Sequence, residues 1–470
     1  MELCFQSVKE LSRLITTKEV SASEVVEAHL KQIERVNPVV NAVVTLTAET
    51  ALEEAKAADG LVARGGVVPP LHGIPVIHKD LFDTKDVRTT YGSPIYADHI
   101  PDRNALIVDR LKKAGAISLG KSNTPEFGAG SQTFNQVFGR TLNPYDLSRT
   151  CGGSSGGAAV SLAAGMTALA DGSDMGGSLR NPANFCNVVG LRTAAGRVPT
   201  RGGSRQNLSV QGPMGRTVED VALMLSVIAG PDPSSPIALE TSGEIFDQPL
   251  DRNFTGTKIA WSDDLGGLPI DAEIKQMVRN GLSIFEDLGC ELSETSPDFT
   301  GADEAFKAFR AWSFGHRADQ LEQHRDQMKD TVIWNIEQGI NQSGQDLARA
   351  DVLRSELYNR VSSFFGEYEY LICPVSQVPP FSIDIEWITE IEGQAMETYI
   401  DWMQSCYFIS ITGLPAISVP GGFTENGLPM GLQIVGRPRS EFSLLQMAFA
   451  FEALTGFHKI RPEVVGNSAD

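Results

Sequence analysis

Two glycine–serine clusters and one lysine hold the side chains best suited to chemistry. CGGSSGG (151–157) places four glycines and two adjacent serines, Ser154 and Ser155, in seven residues. Ser178 follows Ser154 by 24 positions in GSDMGGSLRNPA (172–183), and Lys79 precedes Ser154 by 75 positions in LHGIPVIHKD (71–80). A serine hydroxyl is a weak nucleophile until a base removes its proton. A lysine becomes such a base when burial disfavours its charged form and lowers its pKa from about 10.4. Ile74, Val76 and Ile77 make an apolar strand with Lys79 at its end, which suits that shift. Asp80 would oppose it if both side chains shared a face, but strand alternation predicts opposite faces.

Other readings of the first cluster meet obstacles. A phosphate loop needs a lysine after its last glycine, and Gly157 is followed by Ala158 and Ala159. A flexible linker does not fit the apolar run AAVSLAAGMTALA that begins at once. Gly152–Gly156 also matches G-x-S-x-G, the nucleophile elbow of another hydrolase class. That elbow requires a later acid and then a histidine. His316, His324 and His458 lie downstream, but none sits in an obvious loop after a strand.

LHGIPVIHKD, GKSNTPEFG, CGGSSGG and GSDMGGSLRNPA, in this order and spacing, closely resemble the amidase signature family of serine hydrolases. The likeness runs from about residue 8 to 230 and resumes in GLPAISVPGGFTENGLPMGLQIVG. It implies that Ser178 attacks an amide carbonyl, and that Lys79 is the base, relayed through Ser154 across a cis Gly153–Ser154 bond. It further implies an oxyanion hole of backbone N–H groups from Met175, Gly176, Gly177 and Ser178, the kind of concavity glycine-rich turns form. Gly153, Ser155, Asp174, Arg180, Asn123 and Glu126 are implied supports. Ser131, Gln132, Cys151 and Trp334 are candidate pocket residues. Met175 and Cys151 depart from the threonine and proline common in the family. No metal or organic cofactor is implied. The expected partner is a small-molecule amide, and a homodimer is the family-level expectation.

These residues need elements to position them. SASEVVEAHLKQIERVNP reads as a helix with a Ser21–Glu24 capping box, stopped by Pro38. TAETALEEAKAADG reads as a second, closed by Gly60. From about residue 70, helices alternate with short buried strands, the pattern of a layered α/β fold. The resemblance implies more: an α/β/α sandwich with a mixed, mostly parallel twisted sheet. One domain, 1–470, is expected, with a signature core over 61–230. Residues 268–368 read as a helical insertion that shapes the substrate pocket.

The 470-residue chain is 41% hydrophobic and 21% charged, an ordinary globular mix with a net charge of −20. That balance repels nucleic acid and anionic membranes. Six scattered cysteines have no metal-ligand spacing and read as free thiols, and no signal peptide is visible at MELCFQSVKE. The reading is a cytoplasmic stand-alone amidase. The alternative is the glutaminase subunit of a tRNA-dependent amidotransferase. Such subunits bear an arginine in the helical insertion, where DTVIWNIEQGINQSG (330–344) has none. A binding protein on an inactive scaffold is disfavoured because all three catalytic positions are filled.

Overall fold

The short apolar runs pair into one sheet. The computed structural model describes residues 2–202 and 207–466. Among them, eleven strands join in the order β1-β3-β2-β4-β6-β5-β10-β11-β9-β7-β8. They are β1 (Val43–Leu46), β2 (Pro75–Lys79), β3 (Ile117–Ser122), β4 (Leu169–Asp174), β5 (Val189–Arg192) and β6 (Val210–Gly215), then β7 (Lys258–Trp261), β8 (Glu291–Glu294), β9 (Tyr370–Pro374), β10 (Ala416–Phe423) and β11 (Pro429–Gly436).

The expected mixed sheet covered by helices is present. Parallel pairing is gathered in two runs, β3-β2-β4 and β9-β7-β8. In the first, strand–helix–strand crossovers through Leu106–Lys113 and Gly156–Ala163 bring the strands back parallel. The other pairs are antiparallel, including the β10–β11 hairpin, whose turn closes with Thr424 N–H donating to Leu428 O at 2.8 Å.

Helices cover both faces. On β11, Gly431 faces Asn184 of the Arg180–Phe185 helix, whereas Leu432 faces Gly281 of the Ala272–Asp287 helix. Adjacent strand residues point to opposite faces, so these helices belong to different layers. Every residue of the Gly156–Ala163 helix is buried. It packs so closely that a Cβ on Gly157 would lie 2.3 Å from Asn123 N and 2.7 Å from Ala42 O.

Several element ends differ from the sequence reading. The helix bearing Pro38 runs from Ala22 to Val40 and ends at Asn41, whose φ is 51°. Pro38 sits in the last turn, where a single missing N–H removes only one intrahelical bond. The next helix continues through Gly60 to Ala63, and the glycine with positive φ that follows it is Gly65. The stretch 268–368 is mostly helical but contains the edge strand β8. Its Ala302–Gly315 helix packs against Asp330–Asn341, Gly344–Glu367 and Gln404–Thr412. Phe306 on that helix stacks on Tyr407 at 4.2 Å, and a Cβ on Gly176 would meet the Phe306 ring at 3.0 Å. The helical stretch therefore lies directly over the second glycine–serine cluster. Among the described residues, no helix is long and apolar enough to cross a membrane.

Candidate active site

Lys79 ends β2, whose five residues are all buried between β3 and β4. Its side chain is fully buried. Nζ reaches three hydroxyls: Ser154 Oγ at 2.7 Å, Ser155 Oγ at 2.9 Å and Ser173 Oγ at 3.2 Å. Burial lowers the Lys79 pKa to about 7, against the opposing pull of the Asp174 and Asp171 carboxylates. A neutral amine donates two hydrogens and accepts one, so one of the three hydroxyls must donate to nitrogen.

Asp171 fixes the strand end from below. Oδ1 accepts the Lys79 backbone N–H at 2.7 Å, and Oδ2 lies 2.5 Å from His78 Nδ1. Asp80 turns the other way, as alternation predicts. It accepts from Thr90 N–H at 3.1 Å and Thr90 Oγ at 2.5 Å, and burial raises its pKa.

Ser154 follows a cis Gly153–Ser154 bond. Asn181 Oδ1 accepts the Gly153 N–H at 3.3 Å, and Thr133 Oγ donates to Gly152 O at 2.9 Å. Asn123 braces the same region. Its carbonyl accepts Gly157 N–H at 3.2 Å, and its side chain holds Thr141 Oγ at 2.9 Å and Asn135 Nδ2 at 2.7 Å.

Ser178 is brought beside the first cluster by its carbonyl, which accepts Ser155 N–H at 3.2 Å. Its side chain is half-buried, and its hydroxyl has no hydrogen-bond partner among the described residues. The loop is shaped by Asp174. This buried carboxylate accepts Gly177 N–H at 2.9 Å, Leu179 N–H at 3.1 Å, Arg180 Nε and Nη2 at 3.0 Å each, and Arg192 Nη1 at 3.1 Å. Burial alone would raise its pKa, but the two guanidiniums hold it well below the usual carboxylate range. Arg180 also reaches Gln433 Oε1 at 2.6 Å, Ser410 Oγ at 2.7 Å and Cys406 O at 3.1 Å.

The clamp sorts the backbone donors. Gly177 N–H is committed to Asp174, whereas the N–H groups of Met175, Gly176 and Ser178 have no partner among the described residues. Gly177 needs its missing side chain for two reasons: its φ is 122°, and a Cβ would lie 2.6 Å from Cys406 Cβ.

The expected pocket residues are not gathered in one place. Ser131 and Gln132 border a cavity of about 10 Å³ with Tyr399 and Trp402. Trp334 borders a larger one of about 390 Å³ and meets Tyr399 edge-on at 5.7 Å. Cys151 borders neither; it is fully buried, its thiol donates to Thr141 O at 3.4 Å, and burial pushes its pKa up to about 12. Glu126 ties the signature region to the helical stretch, accepting from Ser93 Oγ at 2.6 Å and Lys329 N–H at 2.7 Å.

Sequence reading missed Asp171, Ser173 and Arg192. Asp171 and Ser173 alternate along β4, and parallel pairing sets Ile77 beside Ala170. A register assignment for LADGSD would have placed them next to Lys79. Among the described residues, no group of three His, Cys, Asp or Glu side chains is placed to hold a metal ion.

A family model described as Amidase matches residues 24–445. An acylamidase of Rhodococcus erythropolis is 34% identical over 467 residues, covering 97% of each chain. One component of the glutamyl-tRNA(Gln) amidotransferase of Moorella thermoacetica is 36% identical over 491 residues, covering 99% of each. A bacterial aryl acylamidase of the amidase signature family superposes with a TM-score of 0.92 at 26% identity, covering 99% of each chain.

Proposed function

The chain belongs to the amidase signature family and hydrolyses amide C–N bonds, and from that premise we propose that Ser178, Ser154 and Lys79 perform the reaction. Ser178 Oγ attacks the amide carbonyl carbon. Its proton passes to Ser154 Oγ as Ser154 gives its own to the neutral Lys79 amine. The carbonyl oxygen, now negative, is held by the N–H groups of Met175, Gly176 and Ser178. Such preorganised donors stabilise charge that develops in the transition state. Gly177 N–H instead holds Asp174 and keeps the loop in shape.

The C–N bond then breaks, and the relay returns the proton to the leaving amine or ammonia. Water attacks the acyl-Ser178 ester with the same relay as base, releasing the acid and restoring the serine. Each proton removed is returned, so the cycle closes without an outside acid. The reading rests on the 2.7 Å contact between a fully buried Lys79 amine and Ser154 Oγ. The six unpaired cysteines support a cytoplasmic location.

The test is release of acid and amine from simple anilides by the purified chain. Ser178→Ala is expected to abolish both turnover and covalent labelling by a fluorophosphonate, with the fold retained. Turnover that survives the substitution overturns the assignment.

A second reading, the glutaminase component of a tRNA-dependent amidotransferase, is favoured by the likeness to the Moorella thermoacetica protein. Residues 330–344 hold no arginine, so this reading needs another residue of the helical stretch to bind the carboxylate of glutamine. Turnover of glutamine only with partner chains would establish it.

A further inference from the structure

Arg310 lies in the middle of the Ala302–Gly315 helix and is 5% exposed. Of the other buried arginines, Arg216 donates to the carbonyls of Thr167 and Gln6 at 2.7 and 2.9 Å, and three face acids. Arg180 and Arg192 share Asp174, and Arg197 faces Glu441 at 3.0 Å. Arg310 has no carboxylate within ion-pair distance among the described residues. Its contacts are neutral: Nε donates to Asn335 Oδ1 at 2.9 Å, Nη2 to Tyr399 Oη at 2.7 Å and Nη1 to Met175 Sδ at 3.4 Å. The Phe314 and Tyr399 rings lie over the guanidinium at 5.0 and 5.8 Å, but no acid offsets its charge, and a buried charge without an acid is costly.

Donor accounting sharpens the point. A guanidinium carries five N–H donors. Three are used here, one of them on thioether sulfur, a weak acceptor. Tyr399 Oη already accepts from Arg310 and from Asn335 Nδ2, which leaves its own O–H free to donate. The cluster therefore offers a positive charge and several unspent donors, with no anion to receive them. It borders the cavity of about 390 Å³ that Trp334 also borders. Two other charged side chains line that cavity: Lys307, paired with Asp303 at 3.0 Å and Asp401 at 2.9 Å, and Asp346, whose carboxylate accepts from Ser343 N–H at 2.9 Å and Ser343 Oγ at 2.7 Å.

The placement ties this donor set to the reacting centre. Met175, whose sulfur Arg310 touches, carries one of the free N–H groups assigned to the oxyanion. Tyr399 borders the small cavity that Ser131 and Gln132 share.

We infer that Arg310, with Asn335 and Tyr399, forms a carboxylate-binding subsite, so that the preferred substrates are amides carrying an anionic carboxylate away from the scissile bond. This inference rests on the amide-hydrolase reading of the same site. The carboxylate belongs either to the acyl part or to the amine part of the substrate; both present the same planar anion, which suits bidentate guanidinium binding.

The experiment compares butyranilide, which is neutral, with the monoanilides of malonic to adipic acid and with N-butyryl-4-aminobenzoate. One carboxylate set is expected to exceed butyranilide in kcat/KM by about tenfold or more, the usual scale for a charge-assisted contact. Which set responds identifies the part of the substrate that carries the anion. Arg310→Met is expected to lower kcat/KM for the preferred carboxylate set about tenfold more than for butyranilide, so that the ratio between them collapses whatever the loss common to both. Tyr399→Phe keeps the ring over the guanidinium and is expected to reduce the preference several-fold. The inference is overturned if no carboxylate amide is preferred. It is also overturned if Arg310→Met lowers all substrates alike while Tyr399→Phe leaves their ratio unchanged, because the arginine is then only a brace between helices. Failure of the amide-hydrolase reading looks different: butyranilide is untouched and Ser178 is not labelled.

Discussion

Lys79 sets a pH dependence that can be worked out in advance. Burial places its pKa near 7, from 10.5 in the free side chain. The proposed relay needs the neutral amine, so kcat/KM should follow its deprotonated fraction. That fraction is about 10% one pH unit below the pKa and about 90% one unit above. A non-ionising anilide should therefore be cleaved nearly tenfold faster at pH 8 than at pH 6, with a plateau above. A lysine at its ordinary pKa would be under about 1% neutral at pH 8, and the rate would climb tenfold per unit through pH 9.

The same shift enters stability. A displacement from 10.5 to about 7 corresponds to roughly 5 kcal/mol against the charged form in the fold. The unfolded chain binds more protons between those two values, so stability rises with pH across that window, and the full penalty applies below it. Lys79→Met should abolish turnover and remove this slope. The measurement is the difference in urea unfolding free energy between the two proteins at about pH 7 and pH 10, with the rate profile of the native enzyme beside it. A native profile still climbing above pH 9, or a stability difference that does not change between the two pH values, refutes a buried, neutral base.

Two further outcomes test the supports. Asp174→Asn leaves the Arg180 and Arg192 charges buried without their acid, and should lower unfolding free energy by about 3–5 kcal/mol in urea titration, with activity lost. Gly157→Ala drives a methyl group into Asn123 N and Ala42 O, at 2.3 and 2.7 Å. Differential scanning calorimetry should show destabilisation of about 1–3 kcal/mol or more.

Motif spacing made the proposed reacting groups legible, because chemistry restricts which residue types can fill them. Lys79, Ser154 and Ser178 fall in stretches where glycine and serine admit few other readings, and the elements around them follow from apolar periodicity. What sequence could not give was long-range pairing. Ser173 meets Lys79 only because β2 and β4 run side by side, and Arg192 reaches Asp174 only because β5 and β6 return beside β4. Arg310 escaped for a different reason. On an amphipathic helix it reads as a surface charge, and its burial depends on the later segment that carries Tyr399. The N–H of Gly177 was expected to face substrate but is taken by Asp174, a commitment fixed by side-chain geometry and invisible in GSDMGGS. Pro38 and Gly60 misled because a breaker near a helix end can be tolerated once the neighbouring turn is packed.

The grip of Arg180 on Cys406, Ser410 and Gln433 sets an order of events during biosynthesis. A growing polypeptide that has emerged through Arg192 but not yet through residue 433 carries the Asp174 clamp on the Ser178 loop but lacks an outer acceptor for Arg180. The anchor of Arg180 is therefore complete only when nearly the whole chain has been made.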